Sequence, residues 1–492
     1  MHILLVYPTY PDTFWSFRHA LKFVSKKASF PPLGLLTVAS LLPPAWKREL
    51  VDMNVEALTD QAIRRADYVF VSAMSVQSAS ADDVIRRCRE LHVPVVAGGP
   101  HFTSSPELYP QVDHLVLDEA EMTLPEFCRD VENGNPKPGY RAEGWADIAS
   151  TPVPQWDLIS HRHYSSMNIQ YSRGCPFDCE FCDITVLYGR KPRTKTRAQI
   201  IEELDAVYAT GWRGPLFFVD DNFIGNKAKL KRDILPAVAD WMAEHNHPFY
   251  LNTEASINLA DDPELMTMMV RAGFEAVFVG IETLHEDSLV SCGKKVNEGR
   301  DLIASVRQLQ RAGLEVQGGF IVGFDEDPPS IFERLTDFIQ ESGIVTAMVG
   351  LLNAPKGTRL HRRLQEEGRL LNDFNGNNTD FATNFIPRMD EDSLLEGYRS
   401  VLDAIYAPPN YYDRVRRFLK TFDPPKKVFH FNPGYLAALL RSMVVIGIAG
   451  KERLHYWRLF FWSLFRKPQL FSLAILFSIY GFHFRKVSDA AA

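Results

Sequence analysis

The stretch that most constrains this 492-residue chain is Tyr171–Cys182, which reads YSRGCPFDCEFC. It sets Cys175, Cys179 and Cys182 in a C-x3-C-x2-C array, half of the six cysteines present. Thiolates crowded into one short loop can point inward at a single inorganic centre. Zinc would want four ligands, and neither a fourth cysteine nor a histidine stands at ligand spacing here. A [4Fe-4S] cube held by three cysteines leaves one iron with an open position, useful for binding and activating a small molecule. The same residues also allow three buried cysteines or a partial zinc knuckle.

Around this loop, strand-like and helix-like patterns alternate. In residues 1–135 strands are expected at His2–Val6, Glu49–Asp52, Tyr68–Met74, Pro94–Ala97 and His114–Leu117, with helices at 33–42, 57–65, 81–91 and 123–133. Alternation of this kind implies a parallel sheet covered on both faces, a flavodoxin-like domain with its ligand crevice at the strand C-terminal ends. Two loops at that edge are candidates for a ligand: Ser72 to Ser75, and Gly98-Gly99-Pro100-His101, where paired glycines permit close approach to the backbone. A proline-punctuated linker follows at 136–165.

Residues 166–355 alternate again, with strands expected at 168–171, 216–219, 250–254, 276–280, 318–322 and 346–351. Six βα units suit a partial TIM-like barrel with reactive groups at strand C-terminal ends. Those ends carry Asp220-Asp221-Asn222, Glu254, Glu282 and the run Gly319 to Gly323, which includes Ile321. The paired carboxylates suit an ammonium ligand. Residues 356–425 read as a cap, in which Tyr398, Tyr406, Tyr411 and Tyr412 line a pocket or fill a core. Cys88, Cys128 and Cys292 read as packing residues.

The tail, 426–492, differs in composition. Residues 410–492 hold 14 Lys/Arg against 4 Asp/Glu, although the whole chain carries −7. None of its apolar runs (435–449, 456–465, 470–482) reaches the roughly 18–20 residues that span a bilayer. Aromatic, apolar faces beside basic residues fit either peripheral contact with an anionic membrane through 434–487, or docking on the protein itself. The net acidity argues against general nucleic-acid binding. Few cysteines for the length, no basic leader and an oxygen-labile centre together place the chain in a cytoplasmic setting.

At the cysteine loop, with Phe181 before the last cysteine, the chain resembles the radical SAM superfamily. The first part, with its GGPH turn and the acidic stretch Asp118 to Glu121, resembles the cobalamin-binding domain that precedes many such barrels. The D-x-H-x-x-G element is absent, so a histidine on the lower face of cobalt is not expected. Stretches such as PPLGLLTVASLLP, FFVDDNFIGN and GFIVGFD look most like the hopanoid C-2 methylase group of cobalamin-dependent radical SAM methyltransferases.

That resemblance implies three cofactors: a [4Fe-4S] cluster on Cys175, Cys179 and Cys182, S-adenosylmethionine, and cobalamin. It places Phe181, Asp220, Asp221, Asn222, Glu254, Glu282, Gly319, Ile321 and Gly323 around S-adenosylmethionine. Ser72, Ser75, Gly98, Gly99 and His101 fall on the cobalamin side. It further implies a flavodoxin- or ferredoxin-like electron donor and a small apolar substrate, methylated at an unactivated carbon through a 5'-deoxyadenosyl radical and methylcobalamin. Rearrangement or oxidation without methyl transfer, a bacteriochlorophyll-type ring methylase, and a non-catalytic iron–sulfur or corrinoid carrier are the alternatives.

Overall fold

The computed structural model describes residues 1–372, 374, 376–377, 380–424 and 433–491. The first sheet comprises β1 (His2–Tyr7), β2 (Lys47–Asp52), β3 (Tyr68–Ser72), β4 (Val95–Gly98), β5 (His114–Val116) and β6 (Gly139–Tyr140). All six are parallel, in the order 2-1-3-4-5-6. The reversal between β1 and β3 is the flavodoxin-like switch point, which puts the crevice at the strand C-terminal ends. Ile3 to Val6 are wholly buried because both faces are covered. Leu4 and Val6 pack with Val69 and Val71, while Ile3 and Leu5 pack with Phe70 on the other side. β6 lies in the stretch expected to be a linker. It needs few backbone donors at the sheet edge, and Tyr140 packs edge-on against Phe127 at 5.5 Å.

The second sheet follows β7 (Met167–Ile169). A short antiparallel pair, β8 (Ser172–Arg173) and β9 (Arg193–Thr194), brackets the cysteine loop. Then come β10 (Gly214–Phe218), β11 (Phe249–Glu254), β12 (Phe274–Glu282), β13 (Glu315–Val322) and β14 (Ala347–Leu351). The order 7-10-11-12-13-14 is sequential and parallel throughout, a partial (β/α)6 barrel. The free edge of β14 is covered by the helix Glu391–Tyr406. Tyr398 Oη donates to Val349 O at 3.1 Å and Tyr406 Oη to Ala347 O at 2.5 Å. Tyr398, Tyr406, Tyr411 and Tyr412 are thus core, each under 4% exposed. Of the asparagine-rich loop 372–378, residues 373, 375 and 378 lie outside the described residues.

The C-terminal region is helical: Pro433–Val445, Arg453–Arg466 and Phe471–Ala491. The last helix continues beyond Phe482, where the apolar run stops. The helical stretch 468–490, which contains an 18-residue window of mean hydropathy 1.3, is long and apolar enough to cross a membrane by length and composition. In this structure the helix packs on the protein. Phe484 stacks on Phe14 with ring centroids 4.3 Å apart, Tyr411 Oη donates to Phe477 O at 2.7 Å, and buried His483 Nε2 donates to Phe14 O at 3.0 Å.

Candidate active site

The cysteine loop is pinned through its own backbone. Glu180 N donates to Cys292 O at 2.7 Å, Leu360 N donates to Glu180 O at 3.0 Å, and Arg359 Nη2 donates to Asp178 O at 2.6 Å. Cys175, Cys179 and Cys182 are half-buried and unpaired by disulfide. Burial pushes all three thiols up, and Lys294 pulls Cys175 and Cys179 partly back down. Among the described residues, no three His, Cys, Asp or Glu side chains gather tightly enough for one metal ion. A cube asks for something different, since each sulfur ligates a separate iron corner. Three thiols near one another, in a site with a lysine, fit that group.

The carboxylates at the strand ends divide into two kinds. Asp220 is fully buried and already engaged: it accepts from Tyr171 N at 3.1 Å and from the backbone N and the hydroxyl of Ser172. Through these bonds it holds the segment entering the cysteine loop. Asn222 plays a similar part, donating towards Cys175 Sγ at 3.8 Å and accepting from Ser256 N at 3.3 Å. Asp221 and Glu254 are partly buried and near enough to repel each other. Burial raises them to about 7 and about 8, and the neighbouring carboxylates add to this. A cationic ligand would relieve that crowding, and the ammonium and sulfonium of S-adenosylmethionine are cations.

Glu282 stands at a bulge in β12 with φ +64° and pairs with Lys294 at 2.6 Å. A non-glycine residue at positive φ stores strain, and Gly280 leaves the room in which this pair folds back. Lys294, absent from the sequence-based set, is thus the cation of the site. Burial disfavours its charge, but Glu282 and Cys179 hold its pKa above the ordinary value. The glycines of β13 serve the fold at their own positions. A Cβ on Gly319 would lie 2.6 Å from the Phe278 ring, so its smallness serves packing. Gly323 turns at φ +101° and donates to Asp327. Ile321 and Phe181 instead share a small apolar cluster with Phe324, whose ring lies 5.8 Å from that of Phe181.

At the edge of the first sheet, Ser72, Gly98 and Gly99 come together. A Cβ on Gly99 (φ +90°) would meet Ser72 Oγ at 2.5 Å, and one on Gly98 would meet Val116 O at 2.5 Å. Ser75 lies under Gly376. His101 is buried and bonds Tyr109 Oη at 2.6 Å, a contact within its own domain. Its helix, Pro100–Ser104, packs against Ile184–Leu187, the helix that follows the cysteine loop. The ligand edge of the first sheet therefore faces the cysteine loop of the second. A surface depression near Asp82, Arg89 and Asp113 lies where β4 and β5 begin, at the opposite end.

Buried charge joins the two edges. Arg173, two residues before Cys175, donates to Glu119 Oε1 at 2.9 Å and Glu121 Oε1 at 2.8 Å. Arg193 reaches Glu119 Oε2 at 2.8 Å, and Thr151 Oγ1 donates to Glu121 at 2.6 Å. Burial would raise Glu121, yet Arg173 and Thr151 hold its carboxyl down at about 2. On the other side of the loop, Arg363 ties Glu180 (2.7 Å) to Asp325 (2.8 Å).

Residues 24–128 match the B12 binding domain, 169–339 the radical SAM superfamily, and 358–492 a domain of unknown function (DUF4070). An uncharacterized methyltransferase of Synechocystis sp. is 41% identical, over 98% of this chain and 91% of its own. The hopanoid C-2 methylase of Rhodopseudomonas palustris is 35% identical, over 93% of this chain and 88% of its own. The chain belongs to the cobalamin-dependent radical SAM methyltransferases. The fold is also similar to that of the radical S-adenosylmethionine methyltransferase TsrM from Kitasatospora setae with cobalamin and a [4Fe-4S] cluster bound. There the TM-score is 0.63 at 15% identity, over 100% of this chain and 99% of that one.

This methyltransferase uses a [4Fe-4S] cluster, S-adenosylmethionine and cobalamin, and it needs a reductant. At the end of β1, Tyr7 and Tyr10 stand hydroxyl to hydroxyl, with Tyr10 N donating to Asn54 Oδ1 at 2.8 Å. Sequence reasoning missed Arg173, Arg193 and Lys294 because each is an ordinary basic residue until its partner is known. The acidic stretch 118–121 was the available signal.

Proposed function

We propose that this methyltransferase adds a methyl group to an unactivated carbon of an apolar, isoprenoid-like lipid. The observation that carries the reading is the 35% likeness to a hopanoid C-2 methylase along 93% of the chain, C-terminal region included. Bound cofactors supply the electron, radical and methyl chemistry, and the protein binds, aligns and excludes water. In this reading Cys175, Cys179 and Cys182 hold the cluster. Asp221 and Glu254 receive the positive end of S-adenosylmethionine, and Lys294 with Glu282 lines the same site. Asp220 and Asn222 set the cysteine loop, and Phe181, Ile321 and Phe324 keep water from it. Ser72, Ser75, Gly98 and Gly99 line the cobalamin edge. A flavodoxin- or ferredoxin-like protein is the reductant, and an apolar substrate places the enzyme at the cytoplasmic face of a membrane.

The test is mass spectrometry of lipids and pigments from a deletion strain against its parent. Loss of one lipid, with a species lighter by one CH2 accumulating, is the expected result. A different mass change would overturn methyl transfer in favour of rearrangement or oxidation, and loss of a pigment instead of a lipid would overturn the substrate class.

A further inference from the structure

The tail's two readings separate by helix. Phe471–Ala491 lies in the core against Phe14 and Tyr411, whereas the two helices before it each bury one face and leave the other bare. On Pro433–Val445, Ala438 and Ser442 point inward, while Leu436, Leu440 and Val444 are 51%, 55% and 56% exposed at i, i+4 and i+8. On Arg453–Arg466, Tyr456, Leu459 and Ser463 are buried, while Leu454, Phe461 and Phe465 are exposed on the opposite face. The helices brace each other through Ser442 Oγ and Tyr456 Oη at 2.8 Å, and through Trp457 Nε1 donating to Gly447 O at 2.9 Å. The exposed rings are therefore presented by a built unit. Monomeric soluble proteins rarely leave so much contiguous apolar surface bare without a use for it.

Charge names the occupant. Lys451, Arg453, Arg458, Arg466 and Lys467 flank these residues and have no carboxylate partner among the described residues. The single acid between 433 and 488, Glu452, is buried and paired with Arg485 at 2.5 Å. A second copy seated on the same face by two-fold symmetry would set unpaired cations against each other. A surface that accepts both large apolar side chains and a cluster of uncompensated cations is the interface of an anionic bilayer.

We propose that helices Pro433–Val445 and Arg453–Arg466 dock the enzyme on anionic lipid, the apolar side chains entering the headgroup boundary and the basic ones meeting phosphates. This assigns a role within the matched region of unknown function. It deepens the lipid-substrate reading and is tested apart from it.

The experiment is co-sedimentation of the full-length, cofactor-loaded enzyme with phosphatidylcholine vesicles, with and without phosphatidylglycerol. Binding to the anionic vesicles that weakens with added salt is expected. Arg458→Gln and Arg466→Gln should each weaken it about fivefold. The double variant Phe461→Ser, Phe465→Ser should abolish binding without a change in melting temperature. No binding to either vesicle, or full binding by the double variant, would overturn the proposal. So would a wild-type dimer that this variant disperses, with no vesicle binding, since the face would then belong to a second copy. The vesicles contain no substrate, so failure here leaves the lipid-profile result untouched, and failure there leaves vesicle binding untouched.

Discussion

The cysteine loop and the last helix are both tied to distant parts of the chain, by opposite chemistry. Around the loop the ties are ion pairs: Arg173 to Glu119 and Glu121 on one side, Arg363 to Glu180 and Asp325 on the other. Around the last helix they are rings: Phe484 on Phe14, Phe17 and Tyr406, and Phe477 on Phe418. Buried ion pairs add little net stability because desolvation offsets attraction, but their forked geometry fixes orientation. Aromatic burial stabilises strongly and tolerates small slips. The loop needs fixed orientation, since one cofactor must face another across two sheets. The tail needs only to stay attached.

The largest effect should mark the floor for this contrast. Cys179→Ala is expected to abolish both the cluster's visible absorption and the cleavage of S-adenosylmethionine, and retention of either would break the assignment of the loop. Next, Glu121→Gln keeps the shape and the Thr151 bond but leaves Arg173 under-compensated. Product methylated per S-adenosylmethionine cleaved should fall on the order of 10²-fold, as for misplaced reactants, with cleavage itself largely kept. Equal loss of both would make the clamp a stability element, like the rings. Phe484→Ala should do the reverse, lowering the urea-unfolding free energy by about 3–5 kcal/mol with the cluster spectrum unchanged.

The smallest effect concerns pH. Burial lowers His483 from 6.5 to about 4, despite its bond to Phe14 O, and Nδ1 has no partner to receive a second proton. His19 faces the ring and lowers it further, while Asp12 opposes this. The folded pKa is depressed, so the unfolded chain binds more protons between these values. The neutral histidine's contribution is complete above 6.5 and is lost as pH falls towards 4, roughly 3 kcal/mol in all. Urea-unfolding free energies at pH 7.5 and 5 should show about 2 kcal/mol of this loss, and His483→Gln, which keeps a donor but does not titrate, should remove it. An unchanged dependence in that variant would move the effect elsewhere.

What the sequence determined by itself was whatever lies within one element or one loop. Continuous apolar runs such as ILLV in β1 announce a sheet buried on both faces, and the spacing of Cys175, Cys179 and Cys182 is visible because one loop carries all three. Strand ends put Asp221, Glu254 and Glu282 at one rim for the same reason. Only the tertiary structure decided which groups answer one another across the chain. Asp220 turns to the backbone 48 residues earlier, and Arg173 finds Glu121 at a separation of 52. Gly319 is small because of Phe278, and His101 is closed off by Tyr109. Neither period nor propensity records such pairings, since a charge or a glycine looks alike in sequence whether its partner is water, a ligand or a buried side chain. The tail shows the limit most plainly: three similar apolar helices differ in role because Phe14, Phe17, Tyr406 and Phe418 of the folded body seat the last by ring contacts.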